Sequence, residues 1–465
     1  MRFFEQKKRD EMVSERFPAD RTAMKTMSLP VLITPAVRDG TFRERSAREK
    51  TTLKKGTIVK RNVKRSVSLS VAVLLMTLAA ACPAVEKGAL KTTLFANLGN
   101  AYYNPDGMTV GDATGILYLN VPNFSRMDET MKKADSAQGG YLLKVAKDGS
   151  WQQILEYPVH PITGQCGPMG LDCGPDGNLY VCDNQYFHDK SNRSRILRVV
   201  LDSQGQPTGE VETVVEGFKL ANGILWHGDL MFYTDSCFDQ EDGSDGNIGS
   251  GGVFMFKAEE VLNAGRGEVP PVKVASSPED PHCLAWEKVV KLGRADGTGP
   301  DGITVDARGT VWFGNFGNGF LYGAWPDEKG NYKRDNVVNV FDALNQQGVN
   351  FESWTDLKLQ CCDGICYDPE TDRVIIDDSQ NNAIWAFAPC KKGENVEPYI
   401  VLKNDDTDGN RGELDQPCEA IIYDGKLIFA NFDWPFPGLT NSQVDPPGTL
   451  SSIPYDVIKP ALQGK

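Results

Sequence analysis

Apolar positions in this chain fall in short alternating runs broken by Gly, Asp and Asn, and between Lys91 and Lys465 no long stretch keeps helical spacing. One unit recurs six times: a pivotal residue followed by Gly or Ala, a short apolar run, a turn, and a second apolar run that closes near Asp or Asn. The six are NPDGMTVGDATGILYLNV from Asn104, GPMGLDCGPDGNLYVCDN from Gly167, LANGILWHGDLMFYTDS from Leu220, GPDGITVDARGTVWFGNF from Gly299, CCDGICYDPETDRVIIDDS from Cys361 and PCEAIIYDGKLIFANFD from Pro417. A third run follows, as in GGYLLKVAKDG or SRILRVVLDSQG, and usually a fourth, as in VETVVEG or NVVNVFDAL. Alternation over four to eight residues between turn signals predicts strands. Four strands repeated six times predict an all-β, six-bladed β-propeller, because a lone four-stranded sheet leaves apolar faces bare that neighbouring blades cover.

The last unit offers only GTLSSIPY as a third strand, while KTTLFANL from Lys91 stands unassigned ahead of the first unit. Pairing that N-terminal segment into the last blade would close the ring. Two long segments, residues 277–299 and 343–360, read as connections at the channel mouth, with His282 in the connection into blade four. Aromatic candidates for a site there are Tyr186, Phe187, Phe238, Trp286, Trp354 and Trp434.

Charge divides the 465 residues. Residues 1–81 carry 18 Lys and Arg against 8 Asp and Glu, and the remainder 31 against 55. So acidic a body repels phosphate backbones and anionic lipid, which argues against nucleic acid and membrane surfaces as partners. The basic cluster Lys60, Arg61, Lys64 and Arg65 precedes an apolar run from Val67 to Ala81, the succession of an export signal and too short for a permanent span. The expected organisation is an extension over residues 1–58, disordered or added by a wrong start, a signal peptide over 59–81, and the propeller over 82–465. The mature protein is expected to be periplasmic or secreted and monomeric, with Cys82 as an alternative lipoprotein acceptor. Ten of eleven Cys lie after Cys82, and an even number in an oxidising compartment predicts disulfides. CCDGIC from Cys361 lacks the partners of a zinc site.

The pivotal residues are Asp106, Met169, Asn222, Asp301, Asp363 and Glu419. First strands are innermost in a propeller, so these side chains are expected to converge at one mouth of the channel. Four carboxylates and an amide facing one axis repel unless a cation sits among them. Hard oxygen donors suit Ca²⁺, ahead of Zn²⁺ or Mg²⁺. Read singly, each Asp-Gly is an ordinary turn dipeptide; the shared register is what argues otherwise.

The residues resemble the regucalcin/gluconolactonase-like (senescence marker protein type) six-bladed propellers, with paraoxonases and strictosidine-synthase-like proteins as more distant relatives. The resemblance spans residues 94–455 by repeat pattern and is specific in ANGILWHGDLMFYTDS and PDGITVDARGTVWFGNFGNG. It implies a metal-binding Asn at Asn222 and a metal-binding, base-like Asp at Asp301, with Asp106 in place of the family's first-blade Glu. The family's remaining Asn falls near Pro168 or Met169, which carry no side-chain oxygen, and Asp363 or Glu419 could supply the missing ligand. The implied activity is metal-dependent hydrolysis of a small lactone or ester. The ion polarises the carbonyl, while Asp301, with Asp363 as a second carboxylate, handles the proton; His188 or His282 could serve as a shuttle, although an isolated loop His is more often just solvated. No GxSxG elbow offers another nucleophile. The alternative is a secreted binding propeller with a structural Ca²⁺. A quinone-dependent oxidoreductase fits less well, since the ring contains no Arg or Lys.

Overall fold

The computed structural model describes residues 90–124, 140–240, 247–290, 298–342, 359–434 and 440–464. The expected export signal and residues 1–58 lie outside them, as do Trp354 and most of residues 343–360. Among the described residues no helix is long and apolar enough to cross a membrane.

Six small sheets follow one another along the chain, each an antiparallel meander. Their inner strands are Met108–Val110, Pro168–Cys173, Ala221–His227, Pro300–Val305, Ile365–Asp368 and Pro417–Tyr423. The architecture is the six-bladed propeller that the repeats predict. Its closure is also the expected one, because Thr93–Asn97 pairs antiparallel with Thr449–Pro454 as the outer strand of blade six. The first and last parts of the chain thereby share one sheet, and the ring has no open end.

Blade three departs from the expectation. Its fourth strand is Cys283–Val290, inside the segment read as a loop into blade four. His282 therefore belongs to blade three, where it bonds Asp280 and stacks on Phe256 at 4.4 Å. The strand escaped notice because the excursion from the third strand is long. It carries the helix Ala258–Val261 and then Val272–Lys273, which pairs parallel with the outer strand of blade two as a fifth strand. Pairing after such an excursion leaves no local pattern.

Cores lie between blades, where each face packs on its neighbour. Tyr180 of blade two meets Trp226 of blade three edge-on at 4.9 Å, and Trp312 of blade four meets Phe387 of blade five at 5.3 Å. Each buried ring of this kind contributes about 1.5–3 kcal/mol through its apolar surface. The C-terminal helix Tyr455–Leu462 buries Ile458 and Leu462 against blades five and six.

The expected disulfides are not formed: the ten Cys among the described residues are free thiols. An even count permits bridges, but a bridge needs two Cβ atoms about 3.5–4.5 Å apart. Here the thiols instead fill space against backbone and small groups. Cys418 donates to the Pro105 carbonyl of blade one at 3.2 Å, and Cys361 Sγ lies 3.3 Å from Ser379 Oγ.

Candidate functional site

The Gly after each pivotal residue is a packing requirement of the inner ring. A Cβ on Gly107 would stand 2.6 Å from the Met169 carbonyl oxygen of blade two. Gly170 is equally tight against the Asn222 carbonyl at 2.6 Å, and Gly223 against that of Asp301 at 2.5 Å. Gly302 repeats the contact against the Asp363 carbonyl, while Gly364 makes it against that of Cys418, one residue before Glu419. Blade six has Ala420 instead, and there Cys418 makes the contact to blade one. The hairpin glycines are different residues, Gly177 and Gly309, at φ +76° and +78°. In four blades the pivotal position falls at an irregularity of the inner strand: pairing shifts register between Pro168 and Leu171, Ala221 and Ile224, Pro300 and Ile303, and Pro417 and Glu419. Such bulges re-aim a side chain off the sheet.

The structure brings four pivotal carboxylates into one electrostatic field. Burial lifts Asp106 to about 8. Burial first, then the charges of Asp301 and Asp106, push Asp363 well above the usual carboxylate range. Glu419 rises for the same first reason, then through Asp377, Asp106 and Asp301. The principal charges acting on Asp363 and Glu419 are thus carboxylates, with no Lys or Arg among them. Asn222 is buried in the ring beside Asp301, and Met169 is buried and apolar, so blade two supplies no side-chain oxygen.

Asp377, which the sequence reading passed over, belongs to this field. It lies on the second strand of blade five, where its N–H donates to the Gly364 carbonyl at 2.9 Å and its own carbonyl accepts from Asp363 at 3.0 Å. The matching residues of blades one and three are donors: Asn120 Nδ2 reaches the Met169 carbonyl at 2.6 Å and Thr234 Oγ1 the Asp301 carbonyl at 2.7 Å. Asp377 makes no such bond: both its oxygens, fully buried, have no hydrogen-bond partner, and burial drives this carboxyl far up. The sequence signal was VIIDDS, whose two acids look alike. Asp378 is a corner residue that accepts from Asn381, the Gln360 N–H and Trp385 Nε1.

His188 is not part of the acidic field. Its ring lies 6.0 Å from Phe124, and burial lowers it to about 4, with Asp183 the charge opposing that shift. It borders an aromatic cluster built by three blades. Phe124 meets Phe187 at 5.1 Å and Trp434 at 5.4 Å, and Phe432 stacks on Trp434. Asn104, two residues before Asp106, donates to the Phe432 carbonyl at 2.7 Å, which ties this cluster to the start of the first inner strand. Of the expected aromatics, Tyr186, Phe187 and Trp434 join it. Phe238 packs on Phe254 within blade three, and Trp286 is exposed on that blade's outer strand. Two cavities, of about 620 and 230 Å³, lie elsewhere: one by the hairpins of His227 and Arg308, the other between Trp286 and Tyr322.

Among the described residues no three His, Cys, Asp or Glu side chains are grouped as an assembled metal cage. The ring fits a hard cation by donor chemistry: carboxylates, an amide, and at Asp377 two buried oxygens with nothing to accept from.

Fold and site define a class, a six-bladed propeller whose pivotal carboxylates share one electrostatic field. No protein-family model matches the chain, and no curated protein matches it in sequence. Solved structures similar to it include a gluconolactonase of Xanthomonas campestris, at 13% identity and TM-score 0.39, covering 79% of this chain and 96% of that one. Another is a calcium-binding regucalcin of Agrobacterium tumefaciens, at 12% and 0.42, covering 78% and 95%. A PQQ-bound aldose sugar dehydrogenase of Streptomyces coelicolor matches at 14% and 0.44, covering 78% and 97%. The first two carry the names of the proteins that the sequence resembles. The architecture rests on the strand pairing described above, and the reading of the site rests on its own residues.

Proposed function

We propose that the channel mouth is a divalent-cation site, for Ca²⁺ ahead of Zn²⁺ or Mg²⁺, at which the protein hydrolyses a small lactone or other carboxylic ester. The observation that carries this reading is a shared field of Asp106, Asp301, Asp363, Glu419 and Asp377 whose principal charges include no basic side chain. Carboxylates so arranged hold either protons or a cation. Asp106, Asn222, Asp301, Asp363 and Glu419 would hold the ion. When bound, it supplies Lewis-acid polarisation of the substrate carbonyl.

The chain's own groups do the rest. Asp301, flanked by Asn222 and Asp363, accepts the proton of the attacking water. Asp363, the second carboxylate, relays that proton from Asp301 toward the leaving oxygen. Phe124, Phe187, Phe432 and Trp434 give the substrate an apolar wall. His188, neutral at pH 7, orients groups there without carrying charge. The reading includes export, with residues 59–81 removed, a monomer as the working unit, and no nucleic acid partner.

The test is a lactone and aryl-ester screen with and without chelator. Activity is expected only with metal, and excess Ca²⁺ is expected to restore much of it in Asn222→Ala, which loses a neutral ligand and no proton acceptor. Chelator-resistant turnover would overturn the metal's role.

A further inference from the structure

A second oxygen-rich cluster lies outside the channel, on the connection from blade five to blade six. This connection reads NDDTDGNRGELD over residues 404–415, after the strand Tyr399–Lys403 and before Pro417–Tyr423. Side-chain oxygens stand at its first, third, fifth and twelfth positions: Asn404, Asp406, Asp408 and Asp415. Gly409 at the sixth is left-handed, at φ +59°. This is the spacing by which a twelve-residue loop wraps Ca²⁺, with glycine making the sharp turn. Here two strands, not two helices, hold the loop.

The fold converts that spacing into a cluster. A Cβ on Gly409 would stand 3.2 Å from Asp415 Oδ2, so the turn lies over the Asp415 carboxylate. Asp415 is only 2% exposed, and its Oδ1 has no hydrogen-bond partner. Four other carboxylates, Asp433, Asp445, Asp406 and Asp408, act on it electrostatically. Asp433 and Asp445 come from the connection between the second and third strands of blade six. Asp433 accepts from the Asp445 N–H at 2.7 Å and from Asn441 Nδ2 at 3.1 Å. Asp406 accepts from Ser442 Oγ at 2.6 Å, which joins the two connections. The basic residue of the loop, Arg411, points its 87% exposed side chain at Glu413. A buried oxygen without a donor, among four other acids, is unfavourable unless a proton or a cation enters.

We propose that this cluster is a Ca²⁺ site separate from the channel mouth, with Asn404, Asp406, Asp408 and Asp415 on one side of the ion and Asp433 and Asp445 on the other. Exposed Asp406 and Asp408 close onto the ion when it binds, since the side chains do not form a finished cage without it. The consequence is mechanical. The Arg411 carbonyl of this loop accepts from the Leu94 N–H at 3.2 Å, and Gly412 leaves no room for a side chain against Leu94. Leu94 belongs to the strand that closes the ring. The ion therefore braces the closure of the propeller and, through Asp433, holds the neighbouring Trp434 at the aromatic cluster.

The experiment uses Ca²⁺ alone as probe, on the full chain. Calorimetric titration and thermal unfolding, in chelator and in Ca²⁺, compare the parent with Asp406→Asn/Asp408→Asn and with Asp301→Asn. The double variant changes only exposed side chains and is expected to fold. It is expected to lose one bound Ca²⁺ per chain and most of the Ca²⁺-induced rise in melting temperature, yet to melt at or above the parent in chelator, since two repelling charges are gone. Asp301→Asn is expected to keep this site, so failure of the channel proposal leaves the test intact. Parental stoichiometry and parental Ca²⁺ stabilisation in the double variant would overturn the proposal.

Discussion

A buried carboxylate with no donor in reach, such as Asp377, keeps its proton or meets a cation. Its counterparts Asn120 and Thr234 each donate to the next blade's pivotal carbonyl, so an amide at Asp377 has a partner waiting. Asp377→Asn is expected to stabilise the metal-free protein by about 1–3 kcal/mol, the cost of an unsatisfied buried polar group. It is also expected to weaken Ca²⁺ binding; melts and titrations in parallel check both signs. Asp106 adds a pH dependence. Burial pushes its carboxyl up to about 8 in the folded chain, against about 4 in an unfolded one. Between those values the folded chain holds a proton that the unfolded chain has lost, so in chelator stability should fall as pH rises from about 4 to about 8. Urea unfolding across that range measures it, and Ca²⁺, replacing the proton, should flatten the slope. Asp377 and Asp378 are adjacent acids with opposite fates, one without donors and one with several. No local pattern separates them, because the donors come from other parts of the blade.

Inner strands were legible because a pivotal residue followed by Gly or Ala repeats on all of them, and in five the Gly answers to the close approach of one blade to the next. Gly170→Ala would place a Cβ 2.6 Å from the Asn222 backbone oxygen and is expected to cost about 1–3 kcal/mol or more through overpacking. Gly170→Ala should also disturb Ca²⁺ binding, since Asn222 must move. By contrast, Gly177→Ala meets nothing within 4 Å and pays only for its positive φ, about 1–2 kcal/mol, without touching the site. Denaturant midpoints for the two variants, with Ca²⁺ titrations alongside, separate these effects. Closure by Thr93–Asn97 was legible from an unassigned strand at one end and a missing one at the other. The outer strand Cys283–Val290 was not, since a helix and a strand given to blade two intervene before it.

On the scale of the whole molecule, two groups of carboxylates stand out from the acidic balance after residue 81, that of Asp106, Asp301, Asp363 and Glu419 and that of Asp415, Asp433 and Asp445. The candidate site could be approached from sequence because its residues share a register. Its chemistry depends on what the closed ring then does to them: it buries Asp106, sets Asp301, Asp363 and Glu419 in one field, and withholds donors from Asp377. Asp301 is the hinge of the catalytic account, because an amide there retains an oxygen for the ion but cannot take a proton from water. The most direct measurement is turnover of a lactone or aryl ester by the parent protein and by Asp301→Asn, both at saturating Ca²⁺. The account predicts a fall in turnover of about 10²–10⁴-fold with Ca²⁺ affinity little changed; equal turnover in the two proteins, or no hydrolysis by the parent at any metal loading, would contradict it.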